Sequence, residues 1–261
     1  MNWNPLVISN NALRGGSSLR RPSNVTNWAY VETDDRKKVS FSVNTYFEQG
    51  AGNTERSSDI YFGVNYQPFD ALRFSLFPEY NHTWRKQDQY VDAVEFGNQQ
   101  RIVVSEVEQR SFSLTARLNY NITPDLTIQY YAQPFIFRAK YQNFGYVADP
   151  LNRDFDARFH RYDAQEVGSD GAVFRVDENR DGTTDYTFSK PDFNFIQYRS
   201  NLVVRWEYIP GSEVYLVWSQ GNVPNANTDI GTPLVRSLFD NAFGQQPQNI
   251  FLLKFTYRFL L

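Results

Sequence analysis

The segment Asp177-Glu178-Asn179-Arg180-Asp181-Gly182-Thr183-Thr184-Asp185 sets oxygen-bearing side chains at positions 1, 3, 5 and 9 of a loop with Gly at position 6. A calcium ion asks for about six to eight hard oxygens, and a Gly at that point lets the backbone bend around it. Asp177, Asn179, Asp181 and Asp185 are therefore candidate calcium ligands. Position 12 falls on Phe188 instead of the bidentate Glu, and the flanks 173–176 and 186–188 read as strands. A plain hairpin with an Asp/Gly turn accounts for the same residues, so both readings stand.

A second constellation is Arg73, Arg117, Arg205, Glu207 and Arg258, which the alternation of their strands sends to one side near one end. Inside a barrel these groups would meet in the lumen, either as a network that closes or selects a pore or as a purely structural one. Other chemistry is sparse. The two histidines, His82 and His160, are too far apart in the chain to suggest a metal pair. No Gly-x-Ser-x-Gly elbow, phosphate-binding Gly loop or dinucleotide fingerprint is present. The pairs Asp34/Asp35 and Asp154/Asp156 have the residue types of glycoside chemistry, but turns favour Asp anyway. We expect no enzyme. Tyr141, Phe144, Tyr146, Phe155, Phe159 and Tyr162 either stack on sugar rings or pack over a barrel mouth.

The elements that would position these residues are strands. Ile196, Tyr198, Ser200, Leu202, Val204, Trp206 and Tyr208 oppose Gln197, Arg199, Asn201, Val203, Arg205 and Glu207 with period two. The pattern returns at 112–120 and 251–259 and, more weakly, at 39–47, 60–66 and 72–80. Nine strands are expected, at 26–34, 37–48, 57–67, 71–85, 109–121, 125–140, 193–208, 213–220 and 248–260. Short turns at 34–36, 67–70, 121–125 and 210–212 alternate with longer excursions at 49–56, 86–108, 141–192 and 221–247. Outer-membrane barrels sort their connections this way. Outward aromatics collect at both strand ends: Tyr66, Tyr120, Trp206, Tyr208 and Phe259 by the turns, and Phe47, Tyr198, Trp218 and Phe251 by the long loops. The fold class expected is an all-β, antiparallel transmembrane β-barrel of outer-membrane type, in one domain over 1–261.

Composition narrows the classes further. The 261 residues hold 5 Trp, 17 Tyr, 22 Phe and no Cys, which excludes a disulfide scaffold, a thiolate metal site and a cysteine nucleophile. A net charge of −3 makes no case for nucleic acid. The mean hydropathy of −0.56 and the lack of a long apolar run exclude a transmembrane helix but leave a β-barrel open. The start, Met1 to Ser9, has no secretory signal pattern. An odd strand number does not close a bacterial barrel, and residues 1–25 fall on the long-loop side, so the expectation is the C-terminal part of a larger barrel. A miscounted hairpin around Gly97-Asn98 within 86–108 would restore evenness.

Arg14-Gly15-Gly16, Arg20-Arg21-Pro22 and Asp35-Arg36-Lys37-Lys38-Val39-Ser40-Phe41 resemble the segment leading into the C-terminal barrel half of large outer-membrane proteins of Bacteroidota. Ser113 to Tyr120, Thr123-Pro124-Asp125-Leu126 and Tyr131-Ala132-Gln133-Pro134-Phe135 are similar to its middle. Asp192-Phe193-Asn194, Arg205-Trp206-Glu207-Tyr208, Pro210-Gly211-Ser212 and Val217-Trp218 are similar to its end. That family is a domain of unknown function, and its members commonly carry an N-terminal module similar to family 9 carbohydrate-binding modules, which is absent here. Two leucines follow Phe259, where many barrel chains end on the aromatic.

The resemblance implies the outer-membrane portion of a surface protein, anchoring or translocating, at the Gram-negative outer membrane and linked to carbohydrate binding or uptake. The implied partners are outer-membrane lipid, the barrel-assembly machinery and carbohydrate through the absent module, with no nucleic acid and no cofactor beyond the calcium considered above. A stand-alone porin-like transporter and a soluble all-β carbohydrate-binding protein are the alternatives.

Overall fold

The computed structural model describes residues 1–224, 230–243 and 246–259. Residues 225–229 and 244–245 of the expected 221–247 loop, and the final pair Leu260 and Leu261, lie outside the described residues. The strands are β1 (Asn2–Asn4), β2 (Val7–Ser9), β3 (Leu19–Arg21), β4 (Asn24–Glu32), β5 (Val39–Gly50), β6 (Glu55–Phe69), β7 (Leu72–Phe96), β8 (Gln99–Thr123), β9 (Leu126–Val147), β10 (Phe159–Arg161), β11 (Val167–Ser169), β12 (Val173–Val176), β13 (Tyr186–Ser189), β14 (Phe193–Ile209), β15 (Ser212–Asn222) and β16 (Gln248–Thr256). One helix, α1 (Leu234–Ala242), lies between the last two strands.

The nine expected strands are the nine long ones, β4 to β9 and β14 to β16, joined in that order into one antiparallel sheet. Alternation made them legible, and turn chemistry separates them. At the β14–β15 turn Gly211 holds φ +81, a left-handed conformation that glycine adopts without strain. At 33–38 the Asp34 carboxylate accepts the Arg36 backbone N–H (3.1 Å), and at 124–125 the Thr123 hydroxyl accepts that of Leu126 (3.0 Å). No closed barrel forms among the described residues. Among the described residues β16 pairs only with β15, and the outer edge of β4 is covered only by β1, at Asn24 to Thr26.

Register carries the alternation across strands. Val39, Tyr66, Phe74, Leu118, Tyr130, Leu202, Trp218 and Phe251 form one continuous row on one face. The opposite face carries Ser40, Asn65, Ser75, Arg117, Gln129, Asn201 and Ser219. We call these the apolar and polar faces, and the two ends of the sheet the turn end and the loop end.

Three segments expected as loops are more ordered than that. The segment 86–108 adds no strand: β7 and β8 each run 25 residues to a hairpin at Gly97 and Asn98. Residues 1–25, expected as loop, hold β1, the β2–β3 hairpin and the first two residues of β4, and the 141–192 segment holds the end of β9, β10 and the β11–β12–β13 sheet. These pieces form a head at the loop end. Its β7–β8–β9 ribbon is covered on both sides. Val103 packs with Phe144, Val176, Tyr186 and Phe188, while its neighbours Ile102 and Val104 pack with Leu13, Leu19 and Phe159. A third cluster seats α1 on the apolar face, with Leu238 and Ala242 against Ile136, Ile196 and Tyr198.

Candidate functional site

The body of the sheet offers its polar face as the chemically equipped surface. At the turn end, Arg205 pairs with Glu207 (3.2 Å) and more tightly with Glu213, which also accepts from the Tyr215 hydroxyl (2.9 Å). Glu207 is held by the Gly211 backbone N–H (2.8 Å), and the Lys254 ammonium lies 5.5 Å from the Tyr215 ring centre. Two strands away, the Arg117 guanidinium stacks over Tyr131 at 5.7 Å, and Tyr131 donates to Gln133 (2.8 Å). The expected set of five is thus spread out. Arg205 and Glu207 touch, Arg117 lies on an aromatic ring, and Arg73 and Arg258 make no ion pair among the described residues. Glu213, Tyr215 and Lys254 were missed. In the hairpin Glu207 pairs with Glu213 and Arg205 with Tyr215, but a register shift between Glu207 and Ile209 displaces these pairs by one residue from those counted outward from Pro210-Gly211, so the sequence count alone does not find them.

Asp177, Asn179, Asp181 and Asp185 lie in the β12–β13 hairpin of the head, where backbone N–H groups occupy their oxygens. Asp177 accepts from Asp181 (3.1 Å) and Gly182 (2.8 Å), Asn179 accepts from Asp181 (2.9 Å), and Asp181 accepts from Thr183 (2.8 Å). Asp185 accepts from Glu178 at 2.7 Å. Each acceptor oxygen closes a turn, which is the local bonding Asp and Asn are suited to. No group of three His, Cys, Asp or Glu side chains able to hold a metal ion occurs among the described residues.

Between two strands of this hairpin and the ribbon sits a charged pair. Glu178 takes Arg101 through both carboxylate oxygens, at 2.8 to 3.2 Å, and accepts from the Tyr186 hydroxyl (2.8 Å). Burial pushes the Glu178 carboxyl up, but the Arg101 and Tyr186 hydrogen bonds outweigh it and hold the group below its usual range. Burial, with the Tyr162 hydroxyl and Glu178 beside it, pushes the Tyr186 phenol far up.

The remaining candidates are structural in their surroundings. His82 bonds Glu108 (2.9 Å); His160 bonds Glu166 (3.1 Å) and lies against Tyr146, and the two histidines do not meet. Asp34 binds its own turn, Asp154 accepts the Asp156 N–H (3.1 Å), and Asp156 pairs with Lys86 (2.7 Å). Phe144 packs on Phe174 and Phe188, and Phe155 on Phe159, so these rings are occupied by one another. Sequence reasoning also missed α1. Its signal was Leu234, Leu238 and Ala242 at helical spacing directly after Pro233.

Among the described residues no helix is long and apolar enough to cross a membrane, which leaves crossing by strands untouched. No curated protein and no solved structure matches the chain. One family model does, described as Domain of unknown function (DUF5916), over residues 11–260. Since that match takes in nearly all of the sheet and head, the chain belongs to the DUF5916 family of domains of unknown function.

Proposed function

We propose that the nine long strands are the membrane-spanning part of an outer-membrane β-barrel that anchors or translocates for a surface protein, with the head outside the cell. The observation that carries this reading is the apolar face, which is uncovered outside the footprint of α1. Phe41, Phe62, Phe74, Leu216 and Leu253 are all exposed, the last by 72%, and the apolar clusters lie at the loop end. The chain exposes 15670 Å². A water-soluble monomer of 30.5 kDa is expected to expose about 11,800 Å².

Dimensions support it. On β8 the apolar face runs from Tyr120 to Phe112, and on β14 from Trp206 to Ile196, so the band is about 27 to 34 Å along the strands. The long row of the apolar face starts at Val39, the first residue of β5, and reaches Trp218, six residues past Ser212, after six strand-to-strand steps. One residue of stagger per strand corresponds to a tilt of about 35°, within the range of closed barrels. That tilt reduces the band to about 22 to 28 Å of height, close to the ~25 Å apolar band of outer-membrane barrels. The free edges of β4 and β16 would leave backbone groups unsatisfied in hydrocarbon, so the reading requires further strands to complete the barrel. The link to carbohydrate rests on the resemblance of the sequence alone.

Folding of the protein, with the strands that complete its barrel, into detergent micelles tests the proposal. A heat-modifiable electrophoretic band, together with recovery in the outer-membrane fraction of the source cells, is expected. Cooperative folding in plain buffer with recovery in the soluble fraction would overturn it.

A further inference from the structure

At the loop end the apolar face changes character within one row. Tyr80, Phe112, Ile136 and Ile196 stand in register. One row beyond them, about 7 Å along the strands, stand Ser58, His82, Arg110, Arg138 and Asn194. The next row holds Arg56, Trp84, Glu108 and Lys140. These two rows bring four permanent cations together against one carboxylate. Glu108 is already engaged by Arg110 (2.5 Å) and His82 (2.9 Å). Arg138 is buried and donates to the carbonyls of Ile230 (3.1 Å) and Thr232 (2.7 Å), fixing segment 230–234 beside the sheet. Between that segment and the strands lies a cavity of about 310 Å³, walled by Arg110, Arg138, Lys140 and Glu108.

We propose that this surface binds the phosphorylated headgroup of an outer-leaflet lipid, with Arg110 and Lys140 on the phosphate and the acyl chains running down the exposed apolar rows at Ile60, Tyr80 and Phe62, beside the Ile136 and Ile196 that α1 covers. The inference rests on the membrane reading above. It is carried by the position of the charge: the cations face outward from the sheet, not toward its polar side, and they begin where the apolar band stops. A phosphate attached to a hydrocarbon tail fits both halves of that surface at once. A free phosphate would use only the upper half. Arg is suited to the role because its planar fork can engage phosphate oxygens in pairs.

The test uses the protein with the strands that complete its barrel, folded in detergent micelles, with heat-modifiable mobility confirming the fold of each variant. Retention of bis-phosphorylated lipid A, dephosphorylated lipid A and inorganic phosphate is read by native mass spectrometry. The phosphorylated lipid should be retained at least tenfold better than the dephosphorylated one. Each Lys or Arg at an anionic lipid surface is worth roughly fivefold in binding, so a double variant Arg110→Ala with Lys140→Ala should lose about 25-fold. Arg36→Ala with Lys37→Ala, an equal charge loss at the turn end, should lose nothing. Equal retention of the two lipids, or no loss in the first double variant, overturns the inference and leaves the membrane reading standing. Displacement of the lipid by equimolar inorganic phosphate also overturns it, in favour of a free-ion site. Failure of the unmodified protein, with the strands that complete its barrel, to fold in micelles overturns both.

Discussion

The side-chain amide of Gln87 donates to the backbone carbonyl of Asn143 at 2.8 Å, tying β7 to β9 across the strand that separates them. Both residues hold positive φ, 58° and 53°, and the β7–β8 and β8–β9 registers shift at the same level. Non-glycine residues in this conformation are strained unless their surroundings over-determine them. Here Glu106 of β8 does so. It accepts from Trp84 (2.7 Å), Gln142 (2.7 Å) and Asn143 (2.8 Å). The three strands bend together at this point, where sheet body gives way to head.

Glu106→Ala would leave three donors of that junction without their acceptor. A loss of about 1 to 3 kcal/mol is expected at the junction. Limited proteolysis in micelles should show it as faster cleavage within 86–108 and 141–192 while heat-modifiable mobility of the body is kept.

The head carries its own acid sensitivity. Because Arg101 and Tyr186 hold the folded Glu178 carboxyl below its unfolded value, that pair stabilises the head above about pH 4.3, the ordinary Glu pKa. Its contribution is lost as pH falls through the folded value. Glu178→Gln should weaken the head by about 1 to 3 kcal/mol at pH 7 and flatten this part of the pH dependence. Tyrosine fluorescence or amide exchange of the head, followed from pH 7 to pH 3, checks both statements.

The faces of β15 should tolerate charge in opposite ways. Leu216→Arg places a cation in the middle of the apolar band and should cost about 2 to 4 kcal/mol of folding into bilayers. Ser219→Arg, on the polar face of the same strand, should fold nearly as well as the unmodified chain. Urea titration in lipid vesicles compares them, and equal losses would count against two differently solvated faces.

What could be read from the sequence follows from which surfaces are covered. Between Ile196 and Tyr208 one face is mostly apolar and the other mostly polar, so Leu202, Val204 and Trp206 against Asn201, Arg205 and Glu207 announce a strand over most of its length. In the head both faces are buried, and the run Ile102-Val103-Val104 carries no alternation to read. Hence β7 and β8 run to their hairpin, well past the expected boundaries at 85 and 109. The Arg205–Glu207 contact was legible because the two residues sit two apart on one strand. Arg73 and Arg117 share a face with them, but stagger across the sheet separates them, and only register reveals it.

Helix α1 is anchored by one side chain above all. Leu238 is fully buried among Ile136, Ile196 and Tyr198, so Leu238→Ala should cost about 2 to 5 kcal/mol locally. The loss should appear as faster amide exchange in 234–242 and new solvent exposure of Tyr198, with the body of the sheet unchanged.

The chain has no cysteine, so single cysteines can be placed along β15 from 213 to 219 without background. Labelling by a water-soluble, membrane-impermeant maleimide after folding into lipid vesicles tests the central claim most directly. Positions 213, 215, 217 and 219 should label and 214, 216 and 218 should be protected, with the same period-two contrast lost in the unfolded chain. Equal labelling of both sets in the folded, vesicle-bound protein would contradict a sheet whose apolar face lies against lipid.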